Sequence, residues 1–235
     1  MRSLIHIGQH KTGTTSIQHY LKSNRHALLA RGLYVADSIL GYDAPSHFIL
    51  NIYALSPGRF SSMKERFIEN SGAEALHELY NCLPAEIARH YDAAKAAGCK
   101  DILWSNEGLY LLNSEDEYQR LKDLFRSYSD ELACICCFRE LESYKISYRR
   151  QHEKNNIRPS HDPDSYRYVE NDSWLFDYER KRELLYTTFD NLIVFGYSKT
   201  HMVERFMRYI GYPIDTPEYE IPRLNITDVA KPSDA

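Results

Sequence analysis

No apolar run in the 235 residues approaches the roughly 18 needed to cross a bilayer as a helix. The N-terminus also lacks the apolar core of a secretion signal, because Ser3-Leu4-Ile5-His6-Ile7 is too short and a glycine-bearing loop follows at once. The chain is therefore expected in the cytoplasm, unless a preceding segment has been removed. Cysteine is scarce and odd in number: Cys82, Cys99, Cys134, Cys136 and Cys137. With no secretion signal, that count argues against a disulfide framework. Strong positive charge is lacking too, with 29 Lys and Arg against 33 Asp and Glu for a formal net charge of -4. General nucleic-acid binders usually carry a strongly basic face. Any anion site must be local, assembled from a few basic side chains. No internal repeat, low-complexity tract or metal-ligand spacing of His, Cys, Asp and Glu is found, so no metal is expected.

What is present fits one large domain over residues 1–235, with 43% hydrophobic and 13% aromatic residues. Four short, continuously apolar runs read as buried strands, at residues 4–7, 101–105, 132–138 and 192–196. Helical patterns separate them, at about 14–30, 73–97, 115–128, 141–154, 175–189 and 201–209. Buried strands alternating with helices predict a three-layer α/β fold, a central parallel sheet flanked by helices. Gly32 stands where a helix C-terminal cap belongs. The run Leu132-Ala133-Cys134-Ile135-Cys136-Cys137-Phe138 places Cys136 and Cys137 on opposite faces, which favours packing over a shared metal. The nineteen tyrosines mostly fall at helical spacing and read as packing. Residues 151–173 are polar and read as a long surface loop, a length often used for lids. The tail after Pro213 reads as irregular.

The first strand runs into Gly8-Gln9-His10-Lys11-Thr12-Gly13-Thr14-Thr15, and a helix follows. A glycine loop between strand and helix turns backbone N–H groups onto a phosphate, and the helix N-terminus adds a favourable dipole. The spacing is that of G-x-x-x-x-G-K-[ST], except that threonine occupies position 14 and the lysine lies inside the loop at Lys11. Lys11-Thr12-Gly13-Thr14-Thr15 resembles the K-[ST]-G-T-T signature of sulfotransferases that use 3′-phosphoadenosine 5′-phosphosulfate (PAPS). The resemblance implies a P-loop sulfotransferase fold. It also implies that Gly8, Lys11, Thr12, Gly13, Thr14, Thr15 and Ser16 hold the 5′-phosphosulfate, with Lys11 on the bridging oxygen that leaves. A lysine there stabilises the charge that grows on the leaving oxygen without a metal.

A second motif stands at the end of the third strand. Arg139 lies at the carboxyl edge, where open α/β sheets bind ligands, and its guanidinium fork suits a phosphate. Arg139 and Ser147, eight residues apart, resemble the family's arginine and serine on the 3′-phosphate. Ser143 is an alternative on the same segment. The family often has proline two residues after the arginine, where this chain has Leu141.

The second main strand ends in Trp104-Ser105-Asn106-Glu107-Gly108. Glu107 is expected to face the same crevice as Lys11, as a general base that takes the acceptor's proton. Family members acting on sugars often place glutamate at this strand end. His10 is the rival base, and His161 in the polar loop a weaker one. The expected reaction moves a sulfuryl group from PAPS to a hydroxyl acceptor, with a glycan or other polar metabolite favoured over a flat phenol. Two other readings stand beside it: a P-loop kinase or NTPase, and a non-catalytic nucleotide-binding protein. Arg223-Leu224-Asn225 resembles a loop often followed by a further helix.

Overall fold

The computed structural model describes residues 1–43 and 46–214. The tail beyond Pro213 is thus described only to Ile214, and Arg223-Leu224-Asn225 lies outside the described residues. The chain builds, in order, β1 (Arg2–His6), α1 (Thr14–Ser23), α2 (Arg25–Ala30), β2 (Leu33–Val35), β3 (Ser38–Ile39), β4 (Tyr42–Asp43), α3 (Ile49–Ala54) and α4 (Ser62–Ala96). There follow β5 (Asp101–Ser105), a 3₁₀ turn (Glu107–Leu111), α5 (Glu115–Arg126), β6 (Glu131–Phe138) and α6 (Leu141–Lys154). A second 3₁₀ turn (Trp174–Phe176), α7 (Tyr178–Thr188), β7 (Asn191–Gly196) and α8 (Met202–Tyr209) complete it.

Five strands form one all-parallel sheet in the order β2-β5-β1-β6-β7. The side chains of the continuous apolar runs alternate between its faces. Ile5, Ile102, Trp104, Cys134, Cys136 and Phe138 pack into the layer of α3 to α7. Leu4, Leu103, Ala133, Ile135 and Cys137 pack beneath α1, α2 and α8. The architecture is thus a three-layer α/β fold. The three strand cysteines are buried free thiols split between the two layers.

Several elements differ from the sequence reading. The helix expected over 14–30 is two, divided at Asn24, whose side-chain amide donates to Tyr20 O at 2.9 Å. Gly32, at φ 85°, does close the second of them, with its N–H on Leu29 O at 2.9 Å. The helix expected over 73–97 is the second part of α4; an unexpected first part runs from Ser62, and the two are divided at Gly72, where φ is 83° and ψ 167°. The polar loop begins after Lys154, since residues 151–154 belong to α6. Residues 175–189 divide into the second 3₁₀ turn and α7. Strand β2 is three residues long and gave no clear pattern of its own. Among the described residues no helix is long and apolar enough to cross a membrane.

Candidate active site

The connections leave β1 towards β2 and β6 towards β7, in opposite directions along the sheet. The point between these neighbouring strands is where open α/β sheets take ligands. The glycine loop and Arg139 both stand there.

The loop's backbone is held in a costly shape. Lys11 has φ 66° and Gly13 φ 79°, and for lysine the left-handed region costs on the order of 1–2 kcal/mol. Thr12 Oγ1 donates to Gln9 O at 2.6 Å and braces the turn. At Gly8 a Cβ would lie 2.1 Å from Thr14 Cγ2, so only glycine lets the strand end pass beneath the first turn of α1. Thr14 is buried under the loop, while Thr15 and Ser16 lie further out on the same turn. Such alternation of backbone conformation forms anion-binding concavities.

Gln9 ties this loop to the second motif. Fully buried, it accepts the Arg139 backbone N–H at 2.8 Å and donates to the hydroxyls of Tyr178 (2.8 Å) and Tyr110 (3.2 Å). Tyr178 in turn donates to Arg139 O at 2.9 Å. The guanidinium is aimed back at the loop. Nε donates to Ser143 Oγ at 2.8 Å, and Nη1 to Ser147 Oγ and Lys11 O at 3.4 and 3.3 Å. Its plane lies 5.2 Å from the Tyr197 ring centroid. Neither neighbouring carboxylate forms an ion pair with it: Glu140 caps α6 through the N–H groups of Glu142 and Ser143, and Glu142 pairs with Lys145. Both serines therefore flank Arg139, and the alternative between them stays open. Positive charge is concentrated here. The exposed Lys11 ammonium is held below its ordinary value, by desolvation first and then by Lys154 and Arg139.

Glu107 opens the 3₁₀ turn that follows β5. Gln18 Nε2 donates to Glu107 Oε2 at 2.7 Å and approaches Ser105 Oγ at 3.4 Å. Ser105 also meets His6 Nδ1 at 2.8 Å. The turn is clamped from below through its carbonyls. Asn51 Nδ2 donates to Gly108 O at 2.7 Å, Arg59 Nη2 to Leu111 O at 3.2 Å, and Lys181 Nζ to Tyr110 O at 3.1 Å and to Leu112 O. Gly108 admits no side chain, because a Cβ would lie 2.7 Å from Asn106 Oδ1 and 2.9 Å from Met63 Sδ.

His10 connects the two halves. Burial lowers its basicity, the Glu107 carboxylate partly restores it, and the Lys11 cation lowers it again, so all three groups share one field. The ring meets Tyr148 at 5.7 Å between centroids, and its Nδ1 is buried without a hydrogen-bond partner. His152, one turn along α6, meets Tyr148 at 4.6 Å between centroids in a tilted contact and is pushed down to about 4, by burial and then by His10 and Arg167. His161 is exposed on the loop, outside these contacts.

Three residues here escaped the sequence reading. Gln9 carries no local signal, since its value lies in partners 101 to 169 residues away. Lys154 matters only because α6 returns past Lys11. Gln18 had a visible sign: a glutamine between Ile17 and Leu21 on a helix's apolar stripe is a buried polar group in need of partners.

No family model and no curated protein matches this sequence. Solved structures do match in shape. A sulfotransferase from Alicyclobacillus acidocaldarius superposes with a TM-score of 0.52 at 13% identity, over 92% of this chain and 83% of that one. A tunicamycin resistance protein from Deinococcus radiodurans superposes over 92% of this chain and 99% of its own, at 14% identity and a TM-score of 0.45, too loosely to carry a correspondence. The chain therefore shares the fold of a sulfotransferase.

Proposed function

We propose that this protein transfers a sulfuryl group from PAPS to an acceptor hydroxyl. One observation supports the reading: at the switch point of the sheet the strained loop holding Lys11 is hydrogen-bonded to the Arg139 guanidinium, and His10 of the same loop lies in the field of Glu107. The loop suits the 5′-phosphosulfate, and Arg139 with Ser147 or Ser143 suits the 3′-phosphate. A donor with two anionic groups uses both cations, Lys11 in the loop and Arg139 beside it.

In the proposed step the acceptor oxygen attacks sulfur in line as the bridging S–O bond breaks. The electron pair leaves on the 5′-phosphate oxygen, where Lys11 stabilises it. The acceptor's proton passes to Glu107. Gln18 holds one carboxylate oxygen of Glu107, which fixes the direction of the other. His10 is the second candidate base, since its neutral imidazole has an unpartnered nitrogen.

A kinase or NTPase is less well served. Such enzymes place lysine where Thr14 stands, and a carboxylate on magnesium. Glu107 instead spends one oxygen on Gln18. The test is transfer of labelled sulfate from PAPS into a mixed pool of hydroxyl acceptors, with and without EDTA. Label transferred at equal rates in both supports the reading. Labelled phosphate transferred from ATP with magnesium, and no sulfate transferred from PAPS, overturns it.

A further inference from the structure

Apart from the loop of Lys11, residues 58–65 face residues 158–167 across an open cleft of about 490 Å³. That volume falls within the roughly 300–1,000 Å³ of small-molecule sites. Most such sites are apolar, whereas this one is lined by Arg59, Arg158 and Arg167 against Glu65, Asp162 and Asp164. The formal charges cancel. Two of the arginines are already engaged, Arg167 with Glu65 at 2.6 Å and Arg59 with the buried Glu117. A ligand with net charge gains little from such walls. A neutral ligand rich in hydroxyls finds planar donors and acceptors on both sides.

The cleft also presents an aromatic ring. Phe60 keeps 46% of its surface exposed, although the buried Lys64 ammonium lies 5.3 Å from its centroid. An exposed ring in polar surroundings gains free energy from an apolar cover. The C–H face of a pyranose supplies that cover while its rim of hydroxyls meets the carboxylates and guanidinium groups.

The wall of the cleft leads to the candidate centre. Tyr166 lines it, and its ring lies 6.1 Å from His152, itself in tilted contact with the Tyr148 that meets His10. The loop bearing Tyr166 is fastened to α6, with Tyr148 hydroxyl donating to Tyr166 O at 3.3 Å and Arg149 Nε to Val169 O at 2.8 Å.

We infer that this cleft binds a neutral saccharide, as a subsite for the part of the acceptor beyond the reacting hydroxyl. The ligand's role as acceptor rests on the sulfotransfer reading; its binding does not. The full chain, with and without saturating adenosine 3′,5′-bisphosphate, is titrated with neutral oligosaccharides built from glucose, galactose, mannose and N-acetylglucosamine. Uronate oligosaccharides and a tyrosine peptide are titrated alongside. Saturation-transfer NMR reads contact, and tryptophan fluorescence reads the cleft through Trp174, which lies 5.0 Å from the Arg59 guanidinium. A neutral oligosaccharide should bind, and Phe60→Ala and Arg158→Ala, both at exposed or half-exposed positions, should each weaken it about tenfold while leaving bisphosphate affinity unchanged. Binding of only the uronates or the peptide, binding of nothing in the panel, or saccharide affinity indifferent to both variants overturns the inference. Saccharide binding with no bisphosphate binding would instead sink the sulfotransfer reading and leave the cleft standing.

Discussion

At the scale of residues, the site is a set of side chains whose surroundings leave them little freedom. Among the described residues Lys11 is one of four non-glycine residues in the left-handed region, and it sits where the loop must turn back on itself. A strained residue in a binding loop is a reason to ask what it does. Lys11 and Glu107 are expected to act on opposite sides of sulfur, so their variants should part company. Lys11→Ala should lower kcat by two to three orders of magnitude, roughly the cost of losing a donor to developing charge, with little change in donor binding. Glu107→Gln should lower kcat by about 10²–10⁴-fold, the range of a general base, and leave bisphosphate affinity intact. Stopped turnover measurements and calorimetry on the two variants check this. Near wild-type kcat in Glu107→Gln would move the base assignment to His10, whose lowered basicity leaves it neutral near pH 7.

At the scale of elements, the 3₁₀ turn bearing Glu107 illustrates what a sequence can and cannot show. Its glutamate at the end of an apolar strand was legible, because Asp101-Ile102-Leu103-Trp104-Ser105 announces the strand. Its clamp was not, because Asn51, Arg59 and Lys181 come from α3, a loop and α7, and no local pattern joins them. The same contrast runs through the fold. The four long strands and the glycine loop have local signatures. Strand β2 is too short for one, and the part of α4 before Gly72 was not expected. Lys181 makes a testable case. It is 2% exposed between Tyr110, Tyr118 and Trp174, and burial pushes it down to about 7. Unfolded, a lysine titrates near 10.4. Between those values the unfolded chain holds a proton that the folded chain has released, so stability should rise with pH from about 7 to about 10. Lys181→Met should remove that rise and cost roughly 1–3 kcal/mol, because the carbonyls of Tyr110 and Leu112 lose their donor. Chemical denaturation at a series of pH values reads both effects. An unchanged slope in the variant would show that Lys181 is not its source.

At the scale of the whole molecule, an acidic chain brings Lys11 and Arg139 together at one edge of one sheet. The order β2-β5-β1-β6-β7 brings the ends of β1 and β6 side by side, and Gln9 locks them together from within. On the sulfotransfer reading the loop takes one anion and Arg139, hydrogen-bonded to Lys11 O beside it, takes the other. It predicts a ligand with two phosphate-like groups on one nucleoside. The most direct measurement is a pair of calorimetric titrations, with adenosine 3′,5′-bisphosphate and with adenosine 5′-phosphate, on the wild type and on Arg139→Ala. The bisphosphate should bind far more tightly to the wild type, and Arg139→Ala should remove most of the difference, roughly 1.5–3 kcal/mol for a charge-assisted contact. Equal affinities for the two ligands in the wild type would contradict the two-anion site and, with it, PAPS as the donor.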